Sequence, residues 1–88
     1  MGWRVELSDA AVKALRKIDP QAAHRITRFI RERILAADDP RAHGKALQGG
    51  LRTYWRYRVG AYRLICHIED DVLRVLVVRI ARRNDAYR

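Results

Sequence analysis

Three arginines fall two and five residues apart in WRYRVGAYRL, residues 55 to 64: Arg56, Arg58 and Arg63. A guanidinium is a rigid fork of donors that matches phosphate oxygens and keeps its proton at every physiological pH. Such groups suit anion binding and the neutralisation of charge that develops during phosphoryl chemistry, and suit proton transfer poorly. Gly60-Ala61 divides two alternating runs, and a two-residue turn with glycine first is the type II′ hairpin pattern. That turn predicts Val59 opposite Tyr62, Arg58 opposite Arg63, Tyr57 opposite Leu64 and Arg56 opposite Ile65. Strand alternation then puts Trp55, Tyr57, Val59, Tyr62, Leu64, Cys66 and Ile68 on one face, joined by Leu73, Val75 and Val77. The other face carries Tyr54, Arg56, Arg58, Arg63, Ile65 and His67. Like charges directly opposite on a sheet are destabilising, so the Arg58–Arg63 pair points to an anion between them. A slip of one residue would scatter the group, and the alternative is a merely solvated face.

The remaining elements have to position that face. Trp3 to Leu7 alternates as a short strand. Ser8 is a helix N-cap, with Leu7 and Val12 placed as a hydrophobic staple, and the helix runs to about Lys17. Asp19-Pro20 starts a second helix, whose Ala23, Ile26, Ile30 and Ile34 share a face. Arg25, Arg28, Arg31 and Glu32 lie opposite, and the helix ends near Ala37, before Asp38-Asp39-Pro40. Residues 38 to 53 hold Pro40 and three of the five glycines and read mostly as loop. Strands over Tyr54–Val59, Tyr62–Glu69 and Val72–Ile80 follow, then a short polar tail. The expected fold is α+β in the order βααβββ, with two N-terminal helices on one face of a small, mostly antiparallel sheet.

At 88 residues the chain suits one domain, 1–88, with one modest core. Nineteen Lys+Arg against ten Asp+Glu leave a net charge of +9, which implies a polyanionic partner. After Lys45 every basic residue is an arginine, nine of them from Arg52 to Arg88. High G+C coding could account for arginine over lysine, but not for where the arginines sit. No apolar run is long enough for a membrane span, and MGWRVELSD lacks the apolar stretch of a secretory signal. The single cysteine, Cys66, fits a reducing compartment, so a cytoplasmic location is expected.

The stretch from Gly44 to Arg88 resembles the RelE/ParE toxin superfamily of toxin–antitoxin modules. Its most diagnostic pieces are WRYRVGAYR and IARRNDAY. The RelE-like branch implies a ribosome-dependent endoribonuclease that cuts mRNA in the ribosomal A site without metal or other cofactor. On that resemblance Arg56 and Arg58 occupy positions often held by lysines, Arg63 matches the arginine of the AYR motif, Arg83 a second arginine, and Tyr87 the tyrosine near the terminus. Arg82 stands where some members carry Lys or His. The resemblance also implies a cognate RelB-like antitoxin whose C-terminal segment wraps the toxin, and a complex that binds operator DNA. The ParE-like branch inhibits DNA gyrase and is not known to need these residues as a set. Finding them together favours the RelE-like branch.

With arginines at positions 56 and 58, Tyr87 becomes one candidate for proton transfer, the alternative being a tail-packing tyrosine. His67 shares the predicted face of Arg63 and is a second candidate, but a lone strand histidine is more often structural. Tyr54 could stack on a base or pack at a strand end. Arg25 and Arg28 are either a solvated helix face or contacts to ribosomal RNA phosphates. Ile65, Leu76, Val78 and Ile80 are placed beside the arginines as an exposed apolar strip, and with Arg63 form the expected antitoxin surface. A basic RNA-binding domain without toxicity is the third reading.

Overall fold

Only Gly60 of the Gly60-Ala61 pair has a positive φ, +60°, as a type II′ turn requires. In the computed structural model, which describes residues 2–49 and 52–82, this turn joins β3 (Arg52–Val59) to β4 (Tyr62–Glu69). The register is the predicted one: Val59 with Tyr62, Arg58 with Arg63, Tyr57 with Leu64, Arg56 with Ile65. β1 (Arg4–Leu7), β2 (Lys45–Gly49) and β5 (Arg74–Arg82) complete a five-stranded sheet in the order β1-β5-β4-β3-β2. Only the β1–β5 pair is parallel.

β2 corrects the sequence reading, which left residues 38–53 mostly as loop with four strands in all. Glycines at 44, 49 and 50 conceal it, and pairing with β3 rather than intrinsic propensity holds this edge strand in place. The loop before it is anchored from the core. Tyr57 Oη donates to the Pro40 carbonyl at 2.6 Å, and Trp55 Nε1 donates to the His43 carbonyl at 2.7 Å. Gly44, at φ +86°, lets the chain pass over β3: a Cβ there would come within 2.4 Å of the Arg56 carbonyl oxygen.

α1 (Asp9–Lys17) starts at Ser8, whose Oγ accepts from Ala11 N at 3.1 Å and donates to the Val78 carbonyl at 2.8 Å. α2 (Pro20–Phe29) has Pro20 in its first turn, and the Asp19 side chain makes no capping bond. From Ile30 to Leu35 the helix widens to π geometry instead of continuing as α-helix to Ala37. In an α-helix each four-residue step turns a side chain by about 40°. The wider turn cancels that drift, so Ile34 stays beneath Ile26, and both are fully buried. They pack with Ala11, Tyr57, Leu64, Cys66, Val75 and Val77 on the helix side of the sheet. Burial pushes the Cys66 thiol well above its usual range, as expected of a core cysteine.

Two further placements differ from the strand pattern. Between β4 and β5 the register shifts: Ile65 pairs with Arg79 but Cys66 pairs with Val77, leaving Val78 as an extra residue. The shift reverses the alternation beyond Val78, so Ile80 joins the core instead of the arginine face. Leu73, expected in the core, is 40% exposed in a left-handed conformation at the end of a 3-10 turn over Asp70–Val72. Arg41 holds that turn with two bonds to Asp70, 2.9 and 2.8 Å, which keep the Asp70 carboxyl below its usual range.

Tyr57→Phe keeps the ring in the core and removes the donor to Pro40. The buried carbonyl then loses its partner, at a cost of about 1–3 kcal/mol. A urea titration should show a lower midpoint with an unchanged slope.

Candidate functional site

On the sheet face away from the helices, the register lines up basic residues across neighbouring strands. One row runs Lys45, Arg56, Ile65 and Arg79; the next runs Arg58, Arg63 and Ala81. Arg58 and Arg63 stand one step from the pair that closes the turn. This is the closer, non-hydrogen-bonded kind of pair, with Cα atoms ordinarily about 4.5 Å apart. Arg58 is exposed, whereas Arg63 is only 7% exposed, between Arg58 and Ala81. Ile65 is buried as well, with the long stems of Arg56 and Arg79 on either side. The two rows form a positively charged patch with a covered apolar floor, suited to a phosphate group.

Lys45 and the residues around it add what the sequence reading missed. Lys45, Arg56 and Arg58 line a groove of about 300 Å³ together with Phe29, His43 and Gly44. A second groove, of about 260 Å³, shares Phe29 and Arg58 and is lined further by Arg25, Arg28, Glu32, Arg33 and Gly60. Arg25 and Arg28 are exposed, but they border this groove instead of pointing away from the sheet. The Arg25 guanidinium lies over the hairpin turn, 2.8 Å from where a Cβ on Gly60 would be. Lys45 and His43 were hidden because residues 38–53 read as loop. The spacing of Arg25, Phe29 and Arg33, each four apart, is the signal that could have grouped them on one helix stripe.

Other expected residues stand apart. Four residues along β4 from Arg63, His67 is about 13 Å away at strand rise. Its ring tilts against Tyr54 at 5.7 Å between centroids, and its Nδ1 is 3.9 Å from Glu69. Tyr54 therefore shares the basic face but belongs to this neighbouring row, flanked by Leu47 on β2. Glu69 accepts from Arg74, at 2.6 Å for the shorter bond, which keeps its carboxyl below the usual range. Arg82 sits opposite Tyr62, beyond the register shift, with its guanidinium 5.9 Å from that ring's centre. Leu76 pairs with His67 and is half-buried, as is Val78 at the irregularity. With Ile65 and Ile80 covered, the expected apolar strip is not an exposed one. Arg83 and Tyr87 lie outside the described residues.

Arg58→Gln removes one member of a like-charge cross-strand pair and leaves the core untouched. Such pairs contribute about 0.2–1 kcal/mol. The melting midpoint should therefore stay the same or rise by up to about 5 °C. Differential scanning calorimetry at low salt measures this, and a clear fall would mean that Arg58 supports the fold.

Comparison with known proteins agrees with this architecture. Residues 5–87 match the family described as ParE toxin of type II toxin-antitoxin system, parDE. The chain is 29% identical over 86 residues to Toxin RelE of Mycobacterium tuberculosis, covering 98% of this chain and 87% of that one. It is 28% identical over 88 residues to Toxin RelG of the same organism, covering 100% and 99%. The fold superposes on a chain in the crystal structure of the RelBE2 toxin–antitoxin complex from M. tuberculosis. There the TM-score is 0.82 at 26% identity, with 97% of this chain and 95% of that chain covered. With a family match over nearly its whole length and RelE-type relatives in sequence and structure, the chain belongs to the ParE toxin family of type II toxin–antitoxin systems, within the RelE/ParE superfamily.

Proposed function

We propose that this toxin is a ribosome-dependent endoribonuclease that cuts mRNA in the ribosomal A site. The observation that supports this reading best is the Arg58–Arg63 cross-strand pair beside Arg56 and Lys45. A sheet carries such a pair against its own stability when an anion occupies it. In the proposed reaction the ribose 2′-oxygen attacks the adjacent phosphorus, and the bond from phosphorus to the 5′-oxygen breaks. The products are a 2′,3′-cyclic phosphate and a 5′-hydroxyl. Arg56, Arg58 and Arg63 neutralise the charge that gathers on the phosphorane oxygens, the task for which fixed donors are most effective. One proton must leave the 2′-hydroxyl and another must reach the 5′-oxygen. Guanidinium serves poorly for either step, so we assign them to Tyr87 and to groups of the ribosome and mRNA, with Arg83 given by the family resemblance as a further source of positive charge. Dependence on the ribosome follows from this shortage of proton carriers.

A cognate RelB-like antitoxin is the proposed partner, by analogy with the toxin–antitoxin complex whose toxin chain this fold superposes on. Its acidic groups would neutralise the arginine face, and the complex would reach operator DNA through the antitoxin. The proposed place of action is the cytoplasm; among the described residues no helix is long and apolar enough to cross a membrane. The match to the ParE description favours one other reading, inhibition of DNA gyrase.

The test uses purified 70S ribosomes programmed with a defined mRNA. The wild-type chain should cut within the A-site codon, and Arg58→Gln should cut on the order of a hundredfold more slowly while melting normally. Intact mRNA in this assay, together with gyrase-linked DNA breaks when the chain is added to purified gyrase and supercoiled plasmid, would replace this reading with the gyrase one.

A further inference from the structure

The stripe formed by Arg25, Arg28, Phe29, Glu32 and Arg33 lies beside the row of Ile26, Ile30 and Ile34, in which Ile30 is half-buried and the other two are fully buried. It faces the β3–β4 hairpin and forms the helix wall of the 260 Å³ groove. Four arginines border that groove, Arg25, Arg28, Arg33 and Arg58, against a single acid, Glu32. Arg25, Arg28 and Arg33 form no ion pair among the described residues. Between them is the half-buried ring of Phe29, held edge-on against Tyr57 at 5.6 Å between centroids. The same ring and the same Arg58 also border the 300 Å³ groove that holds Lys45 and Arg56. Charge, aromatic ring and charge thus follow one another without a break from the sheet face onto α2.

We infer that the groove between α2 and the hairpin holds a second nucleotide of a single-stranded RNA, its base on Phe29 and its phosphate between Arg28, Arg33 and Arg58. The inference rests on the nucleic-acid reading above and extends it from one phosphate to a track. A phosphate–base–phosphate repeat fits the order of groups better than an acidic peptide does, because a carboxylate chain has no use for the ring. Single-strand binders combine a basic groove with a stacking aromatic in this way. Each groove is near the lower end of the roughly 300–1,000 Å³ range of ligand sites, which suits one nucleotide apiece. Arg28 and Arg33 are positioning residues here: they hold RNA beside the reacting phosphate without touching it. Gly60 keeps the passage open, since Arg25 already lies against the hairpin turn.

The experiment compares two uncleavable probes, a 2′-O-methyl dinucleotide and a 2′-O-methyl hexanucleotide, by fluorescence anisotropy with the full chain. Arg28→Gln/Arg33→Gln should weaken hexanucleotide binding at least tenfold. It should reduce the log–log salt slope by about 0.7, the effect of one lost single-strand phosphate contact. Dinucleotide binding should stay within twofold of wild type. Phe29→Leu, which keeps an apolar side chain against Tyr57, should weaken the hexanucleotide and leave its salt slope unchanged. Equal losses on both probes, or no loss on the hexanucleotide, would overturn the inference. So would failure of the wild-type chain to bind the longer probe more tightly. If a glutamate-rich peptide loses affinity in the double variant while the hexanucleotide does not, the groove is a protein-binding site and the inference fails. These outcomes are separate from the nuclease reading: a chain that binds as described but leaves ribosomal mRNA intact keeps the track and loses the reaction.

Discussion

The turn at Gly60-Ala61 is the constraint on which the rest of the molecule depends. Two residues with one positive φ leave the hairpin a single register, and that register divides β3 and β4 into a core face and an arginine face. A slip of one residue would send Tyr57, which is fully buried, to the solvent side and turn Arg58 into the core. The core thus enforces the register from one side while the site benefits from it on the other. Arg58 and Arg63 are held together by the packing of Tyr57 and Leu64 behind them, not by any attraction of their own.

Two other devices adapt the sheet to its helices. The extra residue at Val78 lets β5 present Val75 and Val77 to the core, and Ile80 after them. Ser8 Oγ donates to the carbonyl of the irregular residue, so the start of α1 and the break in β5 stabilise each other. At the opposite edge, Tyr57 and Trp55 hold the carbonyls of Pro40 and His43. These bonds carry core rigidity out to β2 and place Lys45 beside Arg56. The phenol of Tyr57 is pushed far above its usual range by burial, so it remains a hydrogen-bond donor at any ordinary pH.

Much of this was legible in the sequence wherever a local rule and the global fold agree. Ser8 as a cap, Pro20 at a helix start, and the II′ turn with its register are of this kind. The cross-strand arginines follow from the turn alone. What escaped depends on partners distant in the chain. Lys45–Gly49 has no strand signature of its own and becomes a strand because β3 is beside it. Val78 is apolar like its neighbours, so alternation counted through it misplaced Ile80. For Arg25 and Arg28 a solvated face and RNA contacts both stayed open, because a helix pattern shows which residues face away from the core, not what another element brings up beside them. The roles of Arg83 and Tyr87 rest on resemblance alone.

The central claim is that Arg58 and Arg63 face each other in order to hold a phosphate. Thermal melting against inorganic phosphate, with chloride at matched ionic strength as the control, tests it most directly. An anion that binds the folded chain raises the midpoint as its concentration passes the dissociation constant. The wild-type midpoint should rise with phosphate above the chloride control and level off, and Arg58→Gln should lose most of that rise. Coincident phosphate and chloride curves for the wild type, or an equal rise in the variant, would contradict the claim.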